Sequence, residues 1–443
     1  MNGSESFELS NALSGGEWFV DINYLDKTDS VSYAPVAQGY AYSNKSDYLY
    51  STVYNGSRHV SMTTTKFHEG YSSGGEIIYR RKSLTGSWET TQRISAGDGN
   101  SNDPFVLNAH DGSIHIVWQK YLTSTSYRLL YSRSTNGGTT WIGPTTLISS
   151  VPINSAQYNI YPVLAEWNSS KLVLVYCVNT GLKYLTSSNL GMNWTGPTSI
   201  SGSGGSYAGS IWFPSLSSGP GYVILTYDTR YSGVFSHAYN GTSWLTEASV
   251  NAGTGTRFDR YSSVAYDPGS GAVYASWCAQ GPELAEYMIL TRSGTSYGTW
   301  GSGFVQFAKT PGASNLYPSI TPWQEPGVSR NIDIIYQNTI NQVKLNQYFE
   351  ASGWQSPRLL SSSGQWANIP QITDMSTTLY PIRIWTDQTA SPYQVVLSTD
   401  GSYPLNANIS EWAPAAEPFN REWLLRAIGP GPQSHLNSSR FEL

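Results

Sequence analysis

The stretch STNGGTTW (134–141) is short and polar, ends in tryptophan, and separates two runs rich in β-forming residues. A second stretch, SSNLGMNW (187–194), repeats its Ser, Asn, Gly and Trp positions. Looser versions of the pattern end at Trp88, Trp244, Trp300 and Trp354. Successive tryptophans of this series are 53, 53, 50, 56 and 54 residues apart. A fixed period of this length indicates a propeller or a solenoid.

Each period contains four short β-rich runs separated by turn residues. The third period shows them most clearly, as YPVLAEW (161–167), KLVLVYCV (171–178), LKYLTSS (182–188) and WTGPTSI (194–200). No segment of this length has helical periodicity. Four strands in about 50 residues are typical of one propeller blade, so we expect an all-β, seven-bladed β-propeller of four-stranded antiparallel blades over residues 1–401.

The predicted blades follow the repeated opening strand. They lie near residues 35–95, 102–149, 158–201, 211–251, 259–308, 315–361 and 366–401. The last unit lacks a closing tryptophan strand, and SGGEWFVDINYL (14–25) has the pattern of one. Trp18 precedes Trp88 by 70 residues, and subtracting an 18-residue insertion at 57–74 restores the period. The ring is therefore predicted to close through residues 17–25, with the strand around Trp412 as a rival.

The Ser-x-Asn-x-Gly-x-x-Trp pattern resembles the Asp-box, or BNR, repeat of the sialidase-like β-propeller superfamily. Asn136 and Asn189 replace the usual Asp, whereas STDG (398–401) keeps the Asp and lacks the Trp. The resemblance implies a structural hairpin turn between third and fourth strands, on the face opposite the active site. In such a turn, Ser and Asn bond the local backbone, Gly allows a positive φ, and Trp packs between blades.

Composition restricts the setting of the protein. Charged residues make up only 12% of the 443 residues, and the net charge is −5, which gives no electrostatic basis for nucleic-acid binding. No apolar run reaches the length of about 18 residues that a membrane span needs. The region after Met1 has no signal-peptide core, which leaves a mature form, nonclassical export or an intracellular protein.

Other features favour an extracellular or cell-surface glycoprotein. Eight N-glycosylation sequons begin at Asn2, Asn44, Asn55, Asn168, Asn193, Asn240, Asn408 and Asn437, although a chain so rich in Ser and Thr contains several by chance. Cys177 and Cys278 fall in non-neighbouring blades, so free half-buried thiols are expected instead of a disulfide. No Cys/His cluster has zinc spacing, and neither a metal nor a cofactor is predicted.

The repeat ends near residue 402. Residues 402–443 are predicted to form a tail with one short helix at 419–428, which packs on the rim of the ring or mediates contact with a partner or a second copy.

The loops before each first strand and after each second strand converge on one face of a propeller, which we call the channel face. Aromatic rings, carboxylates and amides mixed on one surface suit carbohydrate, because sugars stack on rings and bond through their hydroxyls. The predicted ligand-binding residues on this face are Arg230, Arg260, Tyr161, Trp212, Tyr261, Tyr317, Trp366, Asn179 and Gln337. Many of these side chains could instead cap strands or fill the space between blades.

The charged residues of this face allow two interpretations. Arg230 and Arg260 could grip a carboxylate or sulfate, or they could form an Arg–Asp network between blades. The candidates for catalysis are Asp103, Asp228, Asp259 and Glu283. The Arg-Ile-Pro motif of sialidases is absent, since Tyr33-Ala34-Pro35 stands in its place, and no nucleophile pair can be assigned.

Three classes of function remain. The first is an extracellular glycan-recognising propeller, with a glycan or polysaccharide as its partner. The second is a glycosidase or polysaccharide lyase, in which two carboxylates would lie about 5–9 Å apart. The third is a structural component of a cell surface, filament or virion.

Overall fold

The computed structural model describes residues 59–63, 65–83, 88–97, 99–153, 159–179, 181–202, 211–229, 233–252, 258–280, 286–295, 298–307, 313–324, 330–340, 342–350, 352–361, 367–372, 381–387 and 393–399, with strands at 19–21, 39–46 and 426–428. Every regular element among these residues is a β-strand. No helix among them is long and apolar enough to cross a membrane.

The strands of the first half of the chain are β1 (Phe19–Asp21), β2 (Gly39–Ser46), β3 (Val60–Met62), β4 (Lys66–Ser73), β5 (Glu76–Ser83), β6 (Gln92–Arg93), β7 (Ser101–Asn108), β8 (Ile114–Thr123), β9 (Ser126–Ser134), β10 (Ile142–Pro152), β11 (Val163–Trp167), β12 (Lys171–Val178), β13 (Gly181–Ser187) and β14 (Thr195–Ser199).

Those of the second half are β15 (Ile211–Gly219), β16 (Tyr222–Thr229), β17 (Gly233–Tyr239), β18 (Ala248–Ser249), β19 (Phe258–Tyr266), β20 (Ala272–Gln280), β21 (Tyr287–Thr295), β22 (Val305–Phe307), β23 (Asn315–Gln324), β24 (Arg330–Asn338), β25 (Val343–Phe349), β26 (Gly353–Trp354), β27 (Arg358–Leu359), β28 (Ala367–Ile372), β29 (Arg383–Asp387), β30 (Tyr393–Thr399) and β31 (Arg426–Ile428).

The strands pair as antiparallel sheets that follow one another along the chain, which we number in that order. Sheets 1 to 5 comprise β3–β6, β7–β10, β11–β14, β15–β18 and β19–β22, sheet 6 comprises β23–β27, and sheet 7 has the order β2-β30-β29-β28. The first strands of successive sheets contact each other, and Ile384 of sheet 7 and Phe67 of sheet 1 belong to one hydrophobic cluster. This arrangement is the predicted all-β propeller of four-stranded antiparallel blades.

The predicted number of four-stranded blades is wrong. Six sheets have four strands, and sheet 6 has five, because β26 and β27 both pair with β25. Residues 355–357 interrupt what would otherwise be one outer strand.

The ring is closed by an N-terminal strand, but a different one from the prediction. Gly39–Ser46 pairs with Tyr393–Thr399, whereas Phe19–Asp21 pairs with Arg426–Ile428. The predicted insertion at 57–74 is regular structure, because it contains the first two strands of sheet 1. Residues 426–428 of the predicted tail helix form a strand, and 419–425 lie outside the described residues.

The burial of the strands shows which end of each sheet faces the centre of the ring and which faces the outer rim. The second strand β12 reads KLVLVYCV and is buried along nearly its whole length, as expected for a strand covered on both faces by neighbouring sheets. The fourth strand β14 is exposed at every residue, so it lies at the outer rim. First strands therefore lie innermost.

The turns in which the sequence pattern was found join sheets together. The Ser134 hydroxyl accepts the Gly138 N–H at 2.8 Å, and Asn136 Oδ1 accepts the Thr140 N–H at 2.9 Å. Trp141 packs edge-on against Tyr79 of the preceding sheet, with ring centroids 4.8 Å apart. The equivalent turn has the same Ser187–Gly191 bond, and Trp194 contacts Tyr131 of the preceding sheet. Both indoles are half-buried, not buried.

Candidate functional site

One repeat position at the start of the first strands has an unusual backbone. Asp103, Tyr161, Phe213, Tyr261 and Tyr317 occupy this position in sheets 2 to 6, and their φ angles are +52°, +46°, +52°, +58° and +54°. A positive φ in a residue other than glycine costs about 1–3 kcal/mol and tends to occur at functional sites.

The cause is a bulge in the first strand. The pairing register shifts between Asn102 and Phe105, and equivalent shifts occur at Trp212/Ser215, Arg260/Ser263 and Leu316/Ser319. Because a bulge places an extra residue in one strand, it changes the direction in which a side chain points. Since first strands lie innermost, these four bulge residues, and Tyr161 at the equivalent position of sheet 3, lie around the central channel.

Four of the five residues at this repeat position are aromatic and in contact, and we call them the aromatic arc. The ring centroids are 4.9 Å apart for Tyr161 and Phe213, 4.6 Å for Phe213 and Tyr261, and 4.3 Å for Tyr261 and Tyr317. Tyr161 and Phe213 are buried, whereas Tyr261 and Tyr317 are half-buried. The arc therefore has a closed end in sheets 3 and 4 and an accessible end in sheets 5 and 6.

The two accessible tyrosines are also hydrogen bonded to each other. Burial, followed by the proximity of Tyr317, raises the pKa of the Tyr261 hydroxyl. The hydroxyl is therefore a neutral phenol at ordinary pH, which can donate and accept hydrogen bonds but is a poor general base.

Asp103 holds the bulge position of sheet 2 without an aromatic ring. Its carboxyl accepts a hydrogen bond from Gln119 Nε2 at 2.5 Å, and Gln119 Oε1 accepts the Ile160 N–H at 2.8 Å. The side chain is 1% exposed, and burial raises its pKa well above the usual value. Asp103 thus connects sheet 2 to sheet 3 and is not accessible to a substrate.

Asp228 lies at the end of β16, opposite Trp212 in the pairing register. Its Oδ2 accepts the Tyr261 N–H at 3.3 Å, which joins sheet 4 to the arc residue of sheet 5. Its Oδ1 has no hydrogen-bond partner, and the residue is fully buried. Burial raises the pKa of Asp228 well above its usual value, opposed by the Tyr261 N–H and the Arg260 charge.

Asp259 has a structural role, because hydrogen bonds hold both of its carboxylate oxygens. Its Oδ1 accepts from Trp277 Nε1 at 2.9 Å, and its Oδ2 accepts from Asn251 Nδ2 at 2.7 Å. Both oxygens are therefore occupied by donors of the protein itself, and the side chain is buried.

Arg260 is the half-buried cation next to the arc. Its guanidinium carbon is 5.8 Å from the centre of the Phe258 ring, and its Nε has no hydrogen-bond partner. The strand register places Arg260 opposite Cys278. Burial, and then the charge of Asp228, raises the pKa of the Cys278 thiol, and the same two causes raise that of Cys177. Both cysteines are free and fully buried, not half-buried as expected.

The other predicted site residues are only partly placed. Asn179 is half-buried with an unpartnered Oδ1, and Gln337 is buried opposite Leu316. Trp212 lies in β15, but its side chain is outside the described part of the structure. Arg230, Glu283 and Trp366 lie outside the described residues, so the predicted Arg230–Arg260 pair is untested. No group of three or more His, Cys, Asp or Glu side chains within the described ranges could hold a metal ion.

The sequence-based set missed Phe213, which holds the arc position of sheet 4 in place of its predicted neighbour Trp212. A signal was present, because Phe213 precedes Pro214 as Tyr161 precedes Pro162 and Tyr317 precedes Pro318. Aligning the repeats on these prolines would have selected Phe213.

No protein family and no curated protein match this sequence. Solved structures match at the level of the fold. The lectin BP39L from Burkholderia pseudomallei aligns with a TM-score of 0.59 and 11% identity, over 78% of this chain and 97% of its own. A polysaccharide lyase of family PL25, an ulvan lyase, aligns with a TM-score of 0.55 and 10% identity, over 81% and 95% of the two chains.

A further polysaccharide lyase, Uly1, aligns with a TM-score of 0.51 and 11% identity, over 89% of this chain and 99% of its own. The matched proteins are carbohydrate-related propellers, and at this identity the matches establish the shared fold alone.

Proposed function

We propose that this chain is an extracellular carbohydrate-recognising β-propeller that binds a glycan on its channel face, over the accessible end of the aromatic arc. The observation that carries the proposal is the repetition of an aromatic residue with a left-handed backbone in four successive sheets. A strained backbone in residues other than glycine clusters at binding and active sites, and these four residues share it at one repeat position.

The accessible end of the arc suits a sugar. Tyr261 and Tyr317 offer ring surface for the C–H face of a pyranose and hydroxyls for its polar edge. Their mutual hydrogen bond and the bond from the Tyr261 N–H to Asp228 hold the platform rigid before binding. Preorganisation of this kind lowers the conformational cost of association.

Binding is favoured over catalysis by the state of Asp103, Asp228 and Asp259, the three candidate acids that the structure describes. Asp103 and Asp259 are buried and bonded to neighbouring side chains, and Asp228 is fully buried. A glycosidase or lyase needs at least one acid or base within hydrogen-bond reach of the substrate. The lyase function remains the second candidate because two of the matched propellers are polysaccharide lyases.

A glycan array probed with the purified protein tests the proposal. We expect a small set of related glycans to bind, and we expect the same glycans to be recovered intact after prolonged incubation. Release of unsaturated or reducing sugars would instead establish the enzyme. Absence of binding to every glycan would discard the recognition function, and size-exclusion chromatography would then test the third class, self-assembly, including the predicted role of the tail.

A further inference from the structure

We infer that the exposed ring of Tyr121, on sheet 2, is a second sugar platform on the channel face, so that the ligand is a linear polysaccharide bound along its chain and not a single terminal sugar. This inference rests on the proposed function, because it extends the same site from the accessible end of the aromatic arc toward sheet 2.

Sheet 2 projects beyond the start of its first strand. Its fourth strand β10 has 11 residues, whereas the fourth strands of sheets 1, 3, 4 and 5 have 2, 5, 2 and 3. The first strand β7 begins at Ser101, opposite Lys120, and β8 continues past this level. β9 and β10 continue alongside it, because Tyr127 pairs with both Tyr121 and Val151. First strands begin on the channel face, so the projection rises from that face.

Tyr121 lies on the side of this projection that faces sheet 3. Its ring is edge-on to that of Tyr127, with centroids 5.6 Å apart, and cross-strand partners share one face of a sheet. Tyr127 belongs to the hydrophobic cluster that contains Tyr161, the arc residue of sheet 3. Gln119, two residues before Tyr121 and therefore on the same face, donates to Asn159 Oδ1 at 2.6 Å. Tyr121 is therefore about 7 Å further from the body of the propeller than Gln119, on the side of the closed end of the arc.

The exposure of Tyr121 distinguishes it from the other tyrosines. The residue is 41% exposed, and every other tyrosine whose burial the structure describes is half-buried or buried. Tyr127 is buried, so the edge-on contact holds the Tyr121 ring against a fixed neighbour. An aromatic ring held in this way offers a flat apolar surface to a sugar at a small conformational cost.

The two platforms are separated by sheets 3 and 4. The arc rings of these two sheets, Tyr161 and Phe213, are buried, whereas Tyr261 and Tyr317 of sheets 5 and 6 are accessible. One sugar residue cannot contact Tyr121 and Tyr317 at once, because two sheets lie between them. A linear chain that stacks on the accessible end of the arc and continues over sheets 4 and 3 reaches the projection of sheet 2. The arrangement therefore fits a chain of several sugar units.

The test uses linear oligosaccharides of the cello-, xylo-, manno-, laminari- and malto- series, from monosaccharide to hexasaccharide. Binding of the full-length protein is measured by isothermal titration calorimetry. Tyr121→Ala removes the ring, Tyr121→Phe keeps it, and Phe304→Ala is the matched control. Phe304 is also exposed, at 37%, but lies in the connection from β21 to β22, at the opposite end of its sheet. Thermal melting of each variant shows whether it folds.

We expect at least one series to bind, with an affinity that increases from the disaccharide to the hexasaccharide. Tyr121→Ala should bind the hexasaccharide about fivefold more weakly than the unaltered protein does, the effect of losing one aromatic contact, and the disaccharide equally well. Tyr121→Phe and Phe304→Ala should match the unaltered protein at every length. A long chain can bind in several registers, and the ratio of variant to unaltered protein cancels this statistical factor.

Weaker binding of the hexasaccharide by Tyr317→Ala but not by Tyr121→Ala would overturn the inference and leave the proposed function intact. An equal loss for the disaccharide and the hexasaccharide in Tyr121→Ala would also overturn it, because Tyr121 would then belong to one short site. If no series binds, the inference fails, and the glycan array decides the proposed function separately. If Tyr121→Ala does not fold, the lengths are compared in the unaltered protein, where equal affinity for the disaccharide and the hexasaccharide overturns the inference and an increase above the number of binding registers supports it.

Discussion

Arg383 of sheet 7 and Asp333 of sheet 6 form an ion pair in which both side chains are fully buried. Asp333 Oδ1 also accepts hydrogen bonds from Trp323 Nε1 at 2.9 Å and Gln347 Nε2 at 3.0 Å. The pair therefore connects β29, which belongs to the sheet that closes the ring, to the preceding sheet. Because both side chains are removed from water, each charge of this pair depends on the other for compensation.

Removing one member of this pair should destabilise the protein strongly. Arg383→Met leaves the Asp333 charge buried without its cation, and the expected loss is about 3–5 kcal/mol. The double variant Arg383→Met with Asp333→Asn should recover part of that loss, because the amide oxygen can still accept from Trp323 and Gln347. Chemical denaturation of the three proteins measures both quantities. A single variant as stable as the unaltered protein would show that the ion pair contributes nothing to the ring.

The buried histidines should make a contribution to stability that is lost as the pH is lowered below about 6.5. Burial lowers the pKa of His115 to about 4, and its Nδ1 lies 2.6 Å from the Tyr131 hydroxyl. Burial also lowers the pKa of His68 to about 3. Between these values and 6.5 the unfolded chain takes up protons that the folded chain does not, which costs up to about 1.4 kcal/mol per histidine for each pH unit.

Replacing the histidine isolates this effect. The raised pKa values of Asp103 and Asp228 act with the opposite sign, since the folded state then holds protons that the unfolded state releases as pH rises. The difference between His115→Gln and the unaltered protein cancels that contribution. We expect the variant to lose less stability than the parent between pH 6.5 and about 4. His110→Gln is the matched control, because His110 is exposed and lies five residues before His115.

Substitution by alanine should destabilise the protein much more at Gly138 than at the neighbouring Gly137. Both have a positive φ, of +82° and +62°. A Cβ on Gly138 would collide with the Tyr79 hydroxyl of the preceding sheet, whereas a Cβ on Gly137 meets nothing within 4 Å. Gly137→Ala should cost about 1 kcal/mol from backbone strain alone. Gly138→Ala should cost at least about 2 kcal/mol more because Tyr79 must move. Thermal denaturation compares the pair, and equal losses would mean that the turn does not depend on contact with Tyr79.

Tyr317→Ala should weaken glycan binding without a matching loss of stability. The half-buried ring would no longer extend the platform beside Tyr261, and we expect about tenfold lower affinity for the best array ligand. Tyr348→Ala is the matched control, since Tyr348 is half-buried in the same sheet and packs on Trp354 at 5.2 Å, but lies on the third strand. If both variants bind like the parent, the arc is not the binding platform.

The sequence predicted the fold because every repeat carries its own periodic signal. The tryptophan spacing and the alternation of β-rich runs with turns depend only on local chemistry, and they placed strands such as β12 and β13 within a residue or two. The closing strand was misplaced because pairing between Gly39–Ser46 and Tyr393–Thr399 is a long-range choice. Gly39–Ser46 lies in the first predicted blade, and local propensity cannot show which sheet a strand joins.

The sequence predicts the face on which the candidate site lies, but not the contacts of its individual side chains. The position of Tyr161, Tyr261 and Tyr317 was predictable because each stands just before a predicted first strand, and their role in binding stays a prediction. The burial of Asp103 and Asp259 could not be predicted, because it depends on hydrogen bonds from Gln119, Asn251 and Trp277. Those partners come from other strands, and no local pattern indicates which carboxylates they cover.

The origin of sheet 7 from two distant parts of the chain imposes an order on how the protein can be made. Gly39–Ser46 is synthesised first and cannot pair until its partner strands at 367–399 have emerged, more than 300 residues later. Until then sheet 1 has no neighbour on one side, and the hydrophobic cluster that contains Phe67 and Ile384 is incomplete. Closing so long a loop carries an entropic cost and makes pairing slow. On the ribosome the earlier sheets can therefore assemble one after another, but the circle is joined only at the end, in a single step that involves almost the entire polypeptide.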